Sequence, residues 1–268
     1  MASTVARPAA DEMPPPATTV FGVRNLTVRY ADGTVGLRDL SLDILPGEVT
    51  VVFGPARSGK TTLLRVLNRL SDLVPGIHVA GAVTFRGTDI LAPGVDVPAL
   101  RRRIGMVFAV PTPLPGSIRD NMTYGLRMAG LTSRPLLEER LEQALVQAAL
   151  WEEVKDRLDT SAFSLSGGQK QRLCLARCLA MAPDVILLDN PTSGLDPIST
   201  DIVESSIQEM KSRYVIVLVP HSVQQAARMA DRAVFLLGGE LIETQPGPRL
   251  FTRPRDQRTE DYITGRYG

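Results

Sequence analysis

A loop bracketed by glycines, Gly54-Pro55-Ala56-Arg57-Ser58-Gly59-Lys60-Thr61, constrains this chain more than any other feature. A β-branched run at 49–53 feeds it, and a helical pattern at 61–70 follows. Strand, tight loop and helix in that order turn several backbone N–H groups toward one point, with the positive end of the helix behind them. That geometry cradles phosphate. Lys60 reaches the β- and γ-phosphates, the Thr61 hydroxyl ligates Mg²⁺, and Thr62 extends the same turn. Alone, such a loop marks many nucleoside-triphosphatases, or merely a turn before an ordinary helix.

The rest of the chain alternates strands and helices. Segments 21–30 and 35–44 alternate apolar and polar residues, as half-buried strands do. Strand-like segments recur at 80–85 and 104–108. From 117 to 158 the pattern is helical, with Leu137, Leu141, Leu145 and Ala148 on one face. Pro135 falls in the first turn of a helix that starts near Thr132 and Ser133, where proline is accepted. Segments 184–188, 198–211, 214–219, 222–230 and 232–237 then alternate, which predicts an α/β fold with a mostly parallel sheet. Residues 1–19, with Pro8, Pro14, Pro15 and Pro16, are expected to form a flexible tail.

Composition narrows the function. Lys plus Arg number 30 against 29 Asp plus Glu, a net charge of +1, so nothing draws the chain to nucleic acid. The longest apolar runs, 185–188 and Val215–Val219, fall far short of the roughly 18 residues of a spanning helix. The N-terminus lacks a signal-peptide pattern, so work at a membrane requires a partner that holds the chain there. Cys174 and Cys178 are four apart on a predicted helix and form a buried apolar stripe; no His or acid cluster nearby completes a zinc site.

Two further motifs follow the phosphate loop in order. Leu165-Ser166-Gly167-Gly168-Gln169 opens a helix, and Val185-Ile186-Leu187-Leu188-Asp189 is an apolar strand ending in an acid. All three in this order resemble the ATP-binding cassette (ABC) ATPase family. The resemblance implies a P-loop nucleotide-binding domain over 20–268, with antiparallel strands at its N-terminal end. Its core would span about 20–109 and 165–250, an inserted helical subdomain about 110–164, and a C-terminal helix about 251–268. It implies that ATP binds with Mg²⁺ at Thr61 and Asp189, the latter through water, and that Tyr30 stacks on adenine. It implies that His221 bonds the γ-phosphate and that Ser166, Gly167, Gly168 and Gln169 of one subunit close over the phosphate loop of another. Asp196 lies in the loop that crosses that interface. Three residues depart from the family pattern: Arg57 stands for glycine, Ala109 for the coupling glutamine, and Asn190 for the catalytic glutamate. Asn190 is neutral and cannot act as a base, so the site is expected to bind ATP better than it splits it.

Other segments are similar to the ATPase subunits of phosphate importers within that family. They include Pro111-Thr112-Pro113-Leu114-Pro115-Gly116, Gln224-Gln225-Ala226-Ala227-Arg228 and the ending Thr259-Glu260-Asp261-Tyr262-Ile263. This resemblance implies a peripheral subunit on the cytoplasmic face of the cell membrane. It would form a homodimer or a mixed dimer beneath two membrane permease subunits, which an extracytoplasmic phosphate-binding protein feeds. The alternative is a catalytically weakened regulatory subunit paired with an intact ABC ATPase. His78 has no motif around it and is expected in a surface loop.

Overall fold

The computed structural model describes residues 19–266, so the expected tail, Thr19 apart, lies outside the described residues. In chain order, β1 (Phe21–Arg29) and β2 (Val35–Ile44) pair, and β3 (Val49–Phe53) leads through the glycine loop into α1 (Lys60–Leu67). Next come β4 (His78–Phe85), the short β5 (Thr88–Asp89), α2 (Val97–Arg103) and β6 (Ile104–Val107). The helical middle holds α3 (Ile118–Met128), α4 (Arg134–Gln147) and α5 (Trp151–Val154), followed by α6 (Gly167–Ala180). Then β7 (Val185–Asp189), α7 (Pro197–Met210), β8 (Val215–Val219), α8 (Val223–Met229) and β9 (Arg232–Leu237) alternate. The last elements are β10 (Glu240–Pro246), α9 (Gly247–Thr252) and α10 (Gln257–Ile263).

These strands form two sheets. The antiparallel one has the order β2-β1-β4-β5, and the larger one β10-β9-β3-β8-β7-β6. Strands β9, β3, β8, β7 and β6 run parallel, and β10 is antiparallel to β9. Strands β3, β7 and β8 are buried throughout, which accounts for their unbroken apolar sequences. Their residues alternate between two cores. Val51, Phe53, Ile186 and Leu188 face a core shared with α3, α4 and α6, whereas Val52, Val185 and Leu187 face one shared with α1 and the antiparallel sheet. Each fully buried leucine or valine contributes about 1.5–3 kcal/mol. Because these strands are parallel, their carboxyl ends meet along one edge, where α/β sheets bind ligands.

Three expectations need correction. The helix predicted to reach residue 70 ends at Leu67, because Arg69 takes a left-handed φ of 61° and starts a separate short turn. The C-terminal helix predicted over 251–268 is two short helices. Arg253, ahead of Pro254, leaves the helical region (φ −145°), and Asp256 then caps α10 by accepting the Arg258 N–H at 2.9 Å. His78 opens β4 opposite Arg29 instead of lying in a loop, though it is exposed.

Candidate nucleotide-binding site

The glycine loop leaves β3 with backbone that only glycine accepts at two points. Gly54 has φ 146° with the Leu236 carbonyl against it, and Gly59 has φ 96° against the Gly36 carbonyl, so a Cβ at either would strike main chain. Arg57 is also left-handed, at φ 62°, without glycine's freedom. That conformation costs a non-glycine residue roughly 1 kcal/mol. Arg57 is exposed and makes no hydrogen bond or ion pair with a described residue. With Tyr30, Ser58, Gly59, Lys60, Thr61 and Thr62 it lines a cavity of about 480 Å³. The Lys60 ammonium lies along the loop and donates to the carbonyls of Gly54 (2.9 Å) and Pro55 (2.6 Å) and to Ser58 Oγ (3.3 Å). Burial pushes its pKa down, against the pull of Asp189. The Tyr30 and Thr62 hydroxyls share a 2.7 Å hydrogen bond that ties the ring to the first turn of α1.

Asp189 ends β7 with its carboxylate buried. Thr61 Oγ1 donates to its two oxygens at 2.9 and 3.2 Å. Burial raises the Asp189 pKa, while the Thr61 hydrogen bond, Arg65 and Lys60 pull it down. A hydroxyl and a carboxylate converging beside a phosphate cradle form an oxygen donor set that fits Mg²⁺. Asn190 follows at φ 49°, a conformation asparagine tolerates better than most residues. Its N–H donates to Val219 O at 2.9 Å, and its carbonyl accepts from Ser193 N at 3.1 Å, so β8 and the next turn hold this position.

His221 stands just past β8, exposed, with its backbone N–H donated to Gln225 Oε1 at 2.6 Å. Ala109 follows β6, beside Phe108, whose carbonyl accepts from Gln171 Nε2 at 3.0 Å. Asp189, Asn190, Ala109 and His221 thus come together at the carboxyl ends of adjacent strands. Gln171 and Gln225 were missed in the sequence, because nothing local marks a glutamine that satisfies another loop's backbone.

The segment 165–169 lies outside this cavity. Ser166 caps α6 and exchanges bonds with Gln169: its Oγ accepts the Gln169 N–H at 3.2 Å, and Gln169 Oε1 accepts the Ser166 N–H at 3.0 Å. Gln169 Nε2 also donates to Glu153 at 2.7 Å. Gly167 faces open space, whereas a Cβ on Gly168 would strike the Ser199 hydroxyl on α7. Asp196 caps α7, accepting from Ser199 N at 2.9 Å and Oγ at 2.6 Å; these bonds hold its carboxyl below the usual range. On α6, Cys174 is buried, and burial pushes the Cys178 thiol up to about 12, so neither carries thiolate near neutral pH.

A family model described as ABC transporter matches residues 37–193. The chain is 50% identical over 250 residues to the phosphate import ATP-binding protein PstB 1 of Vibrio parahaemolyticus, spanning 93% of this chain and 92% of that protein. It is 49% identical over 253 residues to the phosphate import ATP-binding protein PstB of Bacillus cereus, spanning 94% and 93%. Its fold is similar to that of cbiO1 from Clostridium perfringens, part of the ABC transporter complex cbiONQ. That match has a TM-score of 0.77 and 26% identity, covering 93% of this chain and 97% of the other.

Proposed function

This chain belongs to the ABC transporter family, and on that premise we propose that it is the ATP-binding subunit of a phosphate importer. The observation that carries the reading is half-identity to phosphate import ATP-binding proteins over nearly the whole length of both. Loss of high-affinity uptake of labelled phosphate on deletion of the gene is the expected result; unchanged uptake contradicts it.

In this reading the loop N–H groups and Lys60 hold the β- and γ-phosphates of ATP, and Tyr30 packs on the adenine. Thr61 and Asp189 hold Mg²⁺, which when bound offsets the charge of the phosphate oxygens. His221 meets the terminal phosphate. Ser166 and Gly167 face outward, which suits a signature helix that serves the phosphate loop of a second subunit. Replacing Lys60 with alanine removes the one cation fixed in the loop. Calorimetry should therefore show Lys60→Ala binding Mg·ATP at least tenfold more weakly than wild type; equal affinities contradict the assignment.

Asn190 and Ala109 favour slow hydrolysis, since a positioned general base is worth about 10²–10⁴ in rate. Among the described residues no helix is long and apolar enough to cross a membrane. The subunit works at the cytoplasmic face under two permease subunits, with an extracytoplasmic phosphate-binding protein beyond them. The same two residues also suit a mixed pair, in which this chain lends its signature helix to an intact ATPase.

A further inference from the structure

One buried side chain joins the loop after β7 to the loop after β8. Gln225, on the first turn of α8, is only 3% exposed. Its Oε1 accepts the His221 backbone N–H at 2.6 Å, and its Nε2 donates to Thr192 Oγ1 at 2.8 Å and to Glu204 Oε1 at 3.0 Å. Thr192 is buried two residues beyond Asn190. Glu204, buried on α7, is held by Arg228 at 2.8 and 3.1 Å. Both amide hydrogens and the carbonyl are therefore used, each on a different element. A carboxamide can accept from a backbone N–H while donating to a hydroxyl and a carboxylate at once. Glutamate at 225 would set two carboxylates together, and leucine would strand three polar groups.

We propose that Gln225 is a positioning residue that ties His221 to the 190–192 turn. Contact of His221 with a terminal phosphate and the setting of the turn that runs on to Asp196 then become one event. The inference rests on the reading of His221 as the residue that meets the γ-phosphate. It follows that the preference of the chain for ATP over ADP depends on a residue that touches neither nucleotide.

The test is titration of Mg·ATP and Mg·ADP into the full-length protein and its His221→Ala, Gln225→Leu and Gln225→Glu variants. The exchanged pair Gln225→Glu with Glu204→Gln is titrated alongside them. Loss of one well-made buried hydrogen bond corresponds to about a tenfold change. Gln225→Leu is expected to lower the ATP-over-ADP preference by about that factor, as His221→Ala does, with ADP affinity within about threefold of wild type. Gln225→Glu alone should lose the preference. The exchanged pair is carried together with Arg228→Ala, because the guanidinium donates to the same Glu204 oxygen as Gln225 and would otherwise face an amide donor. It should regain the preference, since donor and acceptor then swap places while His221 and Thr192 keep a partner. A purely structural role would move both nucleotides together. Retained preference in Gln225→Leu beside its loss in His221→Ala overturns the positioning role. Should Gln225→Leu fail to fold, an exchanged pair as poor as Gln225→Glu overturns it instead. Unchanged preference in His221→Ala overturns both this inference and the reading of His221.

Discussion

At the scale of residues, Arg57 and Asn190 are the informative ones, because each breaks a local rule at the same edge of the sheet. Arg57 occupies a left-handed position that glycine would hold without strain, and its guanidinium has no described partner to offset the cost. Removing roughly 1 kcal/mol of strain from a chain of this size raises Tm by about 2–4 °C. Arg57→Gly should melt that much higher by calorimetry, and an unchanged or lower Tm would show that the backbone there is relaxed. Asn190 sits on a turn pinned by Val219 and Ser193, so a carboxylate placed there inherits a set position. Asn190→Glu should therefore raise kcat by about 10²-fold in a steady-state phosphate-release assay. No gain would move the defect to Arg57 or Ala109, and adding Ala109→Gln separates the two. Asn190 stood out only against the family pattern, whereas the phosphate loop and Asp189 were legible because each is a residue type at a fixed offset from a strand. Gln225 and Gln171 were not, since their roles come from loops far away in sequence.

Among the elements, the buried strands announced themselves and the chain end did not. Val49–Phe53 and Val215–Val219 are short β-branched runs, and the fold places them as adjacent parallel strands. The C-terminal helices depend on a contact that no periodicity reveals. Buried Glu243 on β10 accepts the N–H groups of Arg255 (2.8 Å) and Asp256 (3.2 Å) and the amide of Gln245, and so fixes the start of α10. Burial pushes the Glu243 carboxyl up, but hydrogen bonding from Arg255, Thr259, Gln245 and Asp256 outweighs it, and the net shift is downward. A carboxyl lowered in the folded state stabilises above its unfolded pKa of about 4.3, and that contribution is lost as pH falls through the folded value. Glu243→Gln should cost about 2 kcal/mol at pH 7 by urea denaturation. The gap to wild type should close below about pH 4. A gap independent of pH would mean that packing, not charge, anchors this end.

For the molecule as a whole, the chain carries one phosphate loop and one signature helix, and the helix lies outside the cavity that the loop lines. In the proposed reading the complete site therefore belongs to an assembly in which the helix of one copy meets the loop of another. That an assembly is expected was legible only through the resemblance to the ABC ATPase family. Which subunit completes it was not, because the partner's surface is written in another chain or another copy of this one. A site with its binding groups in place and no base should hold ATP between subunits longer than it takes to separate them. The most direct measurement is light scattering of full-length protein eluted with saturating Mg·ATP, with the nucleotide in the peak identified. The expected mass is twice 29.1 kDa with uncleaved ATP in the peak, falling to one chain in Ser166→Arg, whose side chain blocks closure. A peak of 29.1 kDa for wild type, or a dimer holding only ADP, would contradict an ATP clamp that closes readily and hydrolyses slowly.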